Sequence, residues 1–376
     1  MAKFHLRRNR TPDMSKAKKN SPVRKVLKVI LVILLVLILA VGGYLAYVLI
    51  AYHRLPDNIP LKVEGECGGE IETGREYSMI SYNIGFAAYT RDFGFFMDGG
   101  TESRARSKES VLNVMDGITA LLGEYDADLL VVEEVDFDSD RAHHVDERVI
   151  LTDALGGYSH VFAQNYDSPY LFYPFTCPHG ASKSGILTFS KFPITSSVRY
   201  SLPIEESLMK LVDLDRCYAV SRIDVGDKEL VIFSTHLSAY TSDGTIATQQ
   251  VRILVEEMQK EYEKGNYVIC AGDFNKDLLG KGSELFDTTN EKYTWAQPLP
   301  DDLFFRTNLS LVAPFDEEKK VPSCRNADAA YYIGQYVITP DGFIVSDNIT
   351  VTSSEVVDTG FEFSDHNPVR MTFILE

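Results

Sequence analysis

The chain has 376 residues, of which 45% are hydrophobic and 24% are charged; it is too apolar for a disordered protein. Its net charge is −17, and ten Lys and Arg against one Asp in residues 1–28 leave −26 for residues 29–376. So acidic a body excludes a broad basic face for nucleic acid, but not a small anionic group held through a bound cation. The five cysteines have no zinc-site spacing, and their odd number excludes complete pairing, although one disulfide remains open.

The first predicted element is a transmembrane helix over residues 29–52. This stretch, VILVILLVLILAVGGYLAYVLIAY, has no charged residue. As a helix it would be roughly 36 Å long, enough for a hydrocarbon core of about 30 Å. The alternatives are a buried core helix, which polar residues would interrupt, and a cleaved signal peptide, whose apolar region is normally shorter.

The residues around this helix predict its orientation. Residues 1–28 form a basic tail, which we interpret as a topology signal, with nucleic-acid binding as the weaker alternative. By the positive-inside rule, the N-terminus is cytoplasmic and the rest of the chain is extracellular. We therefore predict a single-pass signal anchor in the cell membrane.

The remainder of the chain has the pattern of one α/β domain. Residues 53–76 are polar and rich in Pro and Gly, typical of a linker or a first irregular segment. Residues 77–376 contain neither a second linker nor a repeat. Short apolar runs predict strands at 77–83, 128–135, 230–237, 267–275, 342–346 and 369–375. Apolar residues spaced three and four apart predict helices over 107–122 and 246–264.

Polar side chains occur at the ends of these predicted strands. They are Asn83, Glu133 with Glu134, His236, Asp273 with Asn275, Asp341, and Asp365 with His366. Each has a structural explanation when taken alone, such as a turn, a solvated carboxylate or a buried histidine. Six such segments from the same few residue types favour a shared site, because ligands and catalysis gather at strand ends.

The residue types indicate one kind of chemistry. Acids and amides supply the oxygen ligands of Mg²⁺ or Ca²⁺ rather than those of zinc. Histidines among acids transfer protons near neutral pH, and a second acid can orient such a histidine. The sequence has neither a nucleophile elbow nor a phosphate-binding GxxxxGK[ST] loop. We therefore predict metal-assisted attack of water on a phosphate ester.

The motifs SYN, EEV, STHL, GDFN, DGFIVS and SDHNPV resemble, in this order, those of the endonuclease/exonuclease/phosphatase superfamily. That group includes pancreatic-type deoxyribonuclease, abasic-site endonucleases, inositol-polyphosphate 5-phosphatases and neutral sphingomyelinases. The resemblance covers about residues 77–376. It implies a four-layer α/β sandwich with two packed mixed β-sheets and an active site at one end.

The resemblance also implies metal ligands and water-positioning residues. Glu134 and Asn83 match metal-binding positions, and Asp365 is a further candidate ligand. Asp273 and Asn275 match the pair that positions the attacking water and the phosphoryl oxygens.

For proton transfer, His366 matches the general base and Asp341 its orienting carboxylate. His236 matches a histidine that contacts the phosphate and assists the leaving group. Two departures stand out: Glu133 replaces a common glutamine, and ITPDGF replaces the usual Arg-x-Asp form before Asp341. Further candidates for substrate binding are Arg141, Asn165, Lys183 and Arg216.

These features together predict a membrane-anchored, divalent-metal-dependent phosphoesterase. The expected cofactor is Mg²⁺, with Mn²⁺ or Ca²⁺ as alternatives, and the expected substrate is a phosphodiester or phosphomonoester of a small or lipid-borne phosphate. An extracellular metal-dependent endonuclease is the alternative, with nucleic acid as its substrate. A non-catalytic phosphate-binding domain is a minor alternative, because every matched position is filled. No protein partner is inferred; the membrane is contacted through the N-terminal helix.

Overall fold

The computed structural model describes residues 22–205, 215–239, 245–288 and 297–376, in two units. Helix α1 (Pro22–Ala51) belongs to the first unit, and the second unit comprises Tyr52–Glu376. Helix α1 is long and apolar enough to cross a membrane, and its side chains, such as Leu37 and Ile38, are more than half exposed. Most of the predicted basic tail, up to residue 21, lies outside the described residues.

The second unit is built on two large mixed sheets. In spatial order, the six-stranded sheet contains β14 (Ile349–Val356), β15 (Val369–Leu375), β2 (Glu76–Asn83), β3 (Leu129–Asp136), β5 (Lys183–Ser190) and β4 (Ser159–Asp167). The seven-stranded sheet contains β1 (Ile59–Pro60), β6 (Ile194–Ser201), β7 (Cys217–Val225), β8 (Lys228–His236), β9 (Tyr267–Asp273), β13 (Asp341–Ser346) and β10 (Leu309–Val312). Strands β11 (Cys324–Arg325) and β12 (Val337–Ile338) pair separately.

Helices cover the outer faces of the sheets. They are α2 (Lys108–Tyr125), α3 (Glu147–Ala154), α4 (Thr245–Glu263) and the short η1 (Gly85–Ala87) and α5 (Gly282–Leu285). Apolar residues of α2 pack with β2 and β3 in one cluster, and those of α4 pack with β8 and β9 in another. A third cluster, which includes Met79, Ile232 and Phe373, fills the space between the sheets. The order helix, sheet, sheet, helix confirms the predicted four-layer sandwich.

Strand direction brings polar side chains to one edge of the sandwich. Strands β2 and β3 are parallel, as are β8 and β9, and each connection runs through a covering helix, as parallel strands require. The ends of β2 and β9 meet, because Asn83 Nδ2 of one sheet donates to Asp273 Oδ2 of the other over 3.2 Å. All four strands therefore end at the same edge of the sandwich, which we call the carboxyl edge.

Residues 53–76, expected to be a linker or a first irregular segment, pack on the second unit. Ile59 and Pro60 pair with β6, and the backbone of Glu64 forms an isolated antiparallel β-bridge with His160. Arg54 Nε donates to Asp215 Oδ1 over 3.1 Å. The folded unit therefore begins almost directly after α1.

Candidate functional site

His366 and Asp341 form a buried pair at the carboxyl edge. His366 precedes β15, Asp341 begins β13, and His366 Nδ1 lies 2.9 Å from Asp341 Oδ2. Burial lowers the pKa of His366, but the Asp341 carboxylate, together with a hydrogen bond to Cys324, outweighs burial and places this pKa well above its usual value. The carboxylate therefore fixes the imidazole ring and stabilises its protonated form.

Asp273 lies at the end of β9 and joins the pair to the opposite sheet. Its Oδ1 accepts a hydrogen bond from the backbone N–H of Asn275 over 2.8 Å. Nε2 of His236 and Nε2 of His366 lie 3.5 and 3.8 Å from its Oδ2. Burial is the main cause that raises the pKa of Asp273 to about 7.

A β-bulge places two consecutive glutamates near this cluster. Side chains alternate along a regular strand, which predicts that only one of the two would point inward. In the structure, the register of β3 against β5 shifts between Val132 and Val135, and Glu134 has a φ of 56°. The directions of these two side chains therefore do not follow the alternation of a regular strand.

Glu133 is fully buried, and Ser81 Oγ donates to its Oε1 over 2.7 Å. Burial raises the pKa of Glu133 well above its usual value, which favours the neutral form of the side chain. In its neutral form a glutamate resembles in size and charge a glutamine, the residue common at this position in the resembled family.

Glu134 and Asp365 are two further carboxylates in this cluster. Burial raises the pKa of both, and the charge of Asp365 raises that of Glu134 further. Asn83 Nδ2 lies 3.4 Å from Glu134 Oε1. These three residues are the predicted metal ligands, and the structure brings them together with Asp273.

The donor set fits a divalent cation. One ligand atom each from Asp273, Asp341 and His366 lie within 4.8 Å of one another, and Asn83 Nδ2 lies within 3.4 Å of both Asp273 and Glu134. Carboxylates whose pKa values are raised by desolvation and by a neighbouring carboxylate, as those of Asp273 and Glu134 are, gain stability from a nearby cation. Oxygen-rich donors of this kind suit Mg²⁺ or Ca²⁺.

His236, at the end of β8, is buried beside Asp273. Burial, and then the charge of Arg216, holds the pKa of His236 well below its usual value, so the ring is neutral. Arg216 Nη1 lies 3.5 Å from the carbonyl oxygen of His236. Asn275 is also in place at this edge, although its Nδ2 donates to the Leu237 carbonyl over 2.8 Å.

The remaining basic candidates differ in position. Arg141 is buried, donates through Nε and Nη2 to Asp136 over 2.8 Å each, and lowers the pKa of Glu134 electrostatically. Lys183 is 40% exposed, and its Nζ lies 3.2 Å from Asp138 Oδ2 on the surface. Arg141 thus belongs to the cluster, whereas Lys183 lies outside its buried part.

Asn165 occupies a bulge in β4, between Gln164 and Tyr166. It is 1% exposed, and neither its Nδ2 nor its Oδ1 has a hydrogen-bond partner among the described residues. Buried amides are normally paired, so this side chain is available to a ligand.

Two contacts to the His366–Asp341 pair come from residues that the sequence did not indicate. Ser323 Oγ donates to Asp341 Oδ2 over 2.6 Å, and Cys324 Sγ lies 3.4 Å from His366 Nε2. Burial raises the pKa of Cys324 to about 12, so it is a neutral thiol. The stretch PSCRN has no motif; only the pairing of Cys324 with His366 reveals these contacts.

The chain is similar to a known protein family. The sequence pattern of the Endonuclease/Exonuclease/phosphatase family matches residues 80–366. A search of curated proteins found no match.

Several solved structures share the fold. The endonuclease/exonuclease/phosphatase from Beutenbergia cavernae DSM 12333 aligns with a TM-score of 0.54 at 18% identity, over 80% of this chain and 72% of its own. ANGEL2, a 2′,3′-cyclic phosphatase in complex with adenosine-2′,3′-vanadate, aligns with a TM-score of 0.53 at 17% identity, over 85% and 99%. A Bacteroides vulgatus endonuclease/exonuclease/phosphatase gives 0.50 at 14% identity, over 80% and 100%. At such identities the likeness concerns the fold alone.

Proposed function

Because the chain belongs to the endonuclease/exonuclease/phosphatase family, it is a metal-dependent hydrolase of phosphate ester bonds, and we propose that it is a membrane-anchored enzyme. In this proposal α1 is an uncleaved signal anchor, the second unit is extracellular, and the substrate is a small or lipid-borne phosphate ester. The proposed cation is Mg²⁺, held by Glu134, Asn83 and Asp365. The observation that carries the proposed mechanism is the buried His366–Asp341 pair beside Asp273.

In the proposed mechanism His366 takes a proton from the attacking water. Asp341 accepts the hydrogen bond from Nδ1–H, which leaves Nε2 as the proton acceptor. The imidazolium that forms is stabilised by the Asp341 carboxylate, in agreement with the raised pKa of His366. Asp273 and Asn275 orient the water. When bound, the cation would offset the charge on the phosphoryl oxygens and lower the pKa of that water.

Other residues bind the phosphoryl group in this proposal. His236 is neutral, so it donates a hydrogen bond to the phosphate or to the leaving group without adding charge. Arg141, Arg216 and the unpaired amide of Asn165 contact the phosphate or the adjoining part of the substrate. Lys183 would contact only a part of the substrate that extends beyond the buried cluster.

The charge of the chain supports a small or lipid-borne substrate over long duplex DNA. With −26 on residues 29–376, DNA would approach against electrostatic repulsion, and its phosphate backbone would meet no broad basic face. An isolated phosphate ester needs only the local cation and arginines.

The test uses the full-length protein in detergent with bis-p-nitrophenyl phosphate, plasmid DNA, and vesicles of sphingomyelin or a phosphoinositide. We expect EDTA to abolish turnover and Mg²⁺ to restore it. We expect His366→Ala to lower kcat by roughly 10²–10⁴-fold, the usual contribution of general acid–base catalysis. His144→Ala, whose side chain is 62% exposed, is the matched control and should leave kcat unchanged.

Unchanged turnover in His366→Ala would contradict the mechanism. Rapid nicking of the plasmid without turnover of lipid would replace the proposed substrate with DNA.

A further inference from the structure

Exposed large apolar side chains of the second unit are concentrated at the carboxyl edge. Among the described residues of the second unit, eight large apolar side chains are exposed, and five of these lie on two loops. Exposure in this set ranges from 50% at Phe172 to 95% at Ile333. The five, which we call the apolar rim, are Phe172, Tyr173, Phe175, Tyr332 and Ile333. Clustered exposed apolar side chains mark interaction sites.

Both loops are fixed to the fold at this edge. The first connects β4 to β5, and because β4 runs parallel to β3, this connection leaves the sheet beside Glu134. Leu171 and Gly180 pair across its base. The second connects β11 to β12 beside His366, and the backbone N–H of Tyr331 donates to the Arg91 carbonyl over 2.7 Å. The two loops that carry the apolar rim therefore lie at the same edge as the candidate active site.

The chain enters the second unit at the same edge. Arg54 Nη2 donates to the Leu202 carbonyl over 2.9 Å, and Arg54 Nε donates to Asp215 Oδ1 over 3.1 Å. Leu202 and Asp215 flank the β6–β7 connection, which lies at the carboxyl edge because β7 is antiparallel to β8. Helix α1 ends at Ala51, so only about 11 Å of extended chain separates its end from Arg54.

The entry point also adjoins the apolar rim. His53 Nε2 lies 3.5 Å from Oδ2 of Asp167, the last residue of β4, and the loop that carries Phe172, Tyr173 and Phe175 begins at the next residue. The edge that carries the rim is therefore also the edge at which the chain from α1 joins the second unit. Because α1 is joined to this edge by so short a segment, a lipid bilayer is the partner that we consider for the rim.

We propose that the apolar rim inserts into the interfacial layer of the bilayer that α1 spans, and that the substrate is therefore the head-group phosphate ester of a membrane lipid. This inference rests on the proposed phosphoesterase function. Tyr and other aromatic residues favour the boundary between water and lipid. Insertion is driven by apolar side chains rather than by attraction to anionic lipids, because the unit is strongly acidic.

The first experiment measures insertion in the full-length chain in phosphatidylcholine nanodiscs. The one tryptophan, Trp295, is replaced by Phe, and a single tryptophan is introduced by Phe175→Trp or by Phe305→Trp. These positions are matched in exposure, 76% and 72%. Phe305, however, precedes β10, whose first residue pairs with the last residue of β13, at the edge opposite the site.

We expect blue-shifted emission and quenching by brominated lipid for Phe175→Trp, and neither for Phe305→Trp. Neither result should change at high salt. Equal quenching at the two positions, or none at position 175, would overturn the inference.

The second experiment measures turnover of sphingomyelin and of a phosphoinositide placed in the discs, against soluble bis-p-nitrophenyl phosphate. The triple variant Phe172→Ser, Phe175→Ser, Ile333→Ser should lose about tenfold or more of the lipid turnover, because serine forfeits the transfer free energy of the apolar side chains. Its turnover of the soluble ester should match that of Phe305→Ser and the wild type.

Equal loss on both substrates, or hydrolysis of plasmid DNA without hydrolysis of lipid, would overturn the inference. If the wild type hydrolyses neither ester, the phosphoesterase function itself fails. The quenching experiment needs no activity and still decides whether the rim inserts.

Discussion

The two edges of the sandwich treat buried charge in opposite ways. At the edge opposite the site, Arg222 Nη1 lies 2.6 Å from Glu229 Oε2, and its Nη2 lies 2.7 Å from Glu261 Oε1. Lys264 adds a second cation to Glu261. Burial opposes ionisation of Glu261, but the hydrogen bonds from Arg222 and Lys264 prevail and lower its pKa to about 2. The charges of Arg222, Glu229, Glu261 and Lys264 are therefore paired with one another.

At the carboxyl edge, acids of the same kinds show the reverse shift. The pKa of Asp273 is raised to about 7, and that of Glu134 is raised as well. Arg141 lies nearby but is bonded to Asp136. The comparison shows that the opposite edge favours the ionised form of its carboxylate, which stabilises the fold. The carboxyl edge disfavours the ionised forms of Asp273 and Glu134, as sites of catalysis and metal binding commonly do.

The largest expected effect comes from Asp341→Asn. The amide keeps the size of the side chain but removes the charge that stabilises protonated His366, so kcat should fall by roughly 10³-fold. The measurement is turnover of bis-p-nitrophenyl phosphate with Mg²⁺, with Glu261→Gln as the control that should keep wild-type kcat. If the two variants lost the same share of kcat, Asp341 would have no role in turnover that Glu261 lacks, and the proposed difference between the edges would be wrong.

The next effect is on stability and concerns Glu261→Gln. Loss of this carboxylate removes the hydrogen bonds from Arg222, which is 25% exposed, and from Lys264. We expect about 2 kcal/mol less free energy of unfolding, because hydrogen bonds to charged groups contribute about 1.5–3 kcal/mol. Chemical denaturation followed by near-UV circular dichroism measures the change. A loss below about 0.5 kcal/mol, as surface substitutions show, would contradict the conclusion that the ion pairs of Glu261 stabilise the fold.

The smallest effect is a gain in stability for Asp273→Asn in the metal-free protein. The pKa of Asp273 is about 7 in the folded state against 3.8 ordinarily. Between these values the unfolded chain has released the proton and the folded chain retains it, so the stability of the wild type falls as pH rises from about 4 to 7. The variant lacks this fall and should gain about 1–2 kcal/mol at pH 7.5 over the wild type.

This gain is measured by denaturation in EDTA at pH 4.5 and 7.5, and it should be absent at the lower pH. A variant less stable than the wild type at both pH values would mean that Asp273 stabilises the fold as Glu261 does.

The strands that supply the site could be predicted because they are buried on both faces. Strands such as β9 (YVICAGD) are continuous apolar runs that stop at a polar residue, and this pattern needs no knowledge of the neighbouring strands. The sequence did not predict strands β4–β7 and β14, in which polar residues interrupt or flank the apolar ones, as Ser221 and Arg222 do in β7. In β4 (SHVFAQNYD), buried and partly buried residues alternate, a pattern that is weaker in a short segment.

The details of the site depend on contacts that no local pattern records. The φ of 56° at Glu134 results from the bulge, because the pairing of β3 with β5 fixes the residues on either side. Ser323 and Cys324 reach His366 and Asp341 only through the pairing of β11 with distant segments. Residue types at strand ends therefore predict the kind of chemistry, whereas bulges and loops determine the geometry in which it takes place.

The short connection between α1 and Arg54 has a kinetic consequence. In the proposed membrane-anchored enzyme, this short connection would let the catalytic unit meet a head-group substrate by lateral diffusion in two dimensions. Its rate then follows the number of substrate molecules per unit of membrane area and not their concentration in bulk. Diluting the substrate with inert lipid would slow such an enzyme, whereas diluting the whole suspension with buffer would not, because enzyme and substrate remain on the same surface.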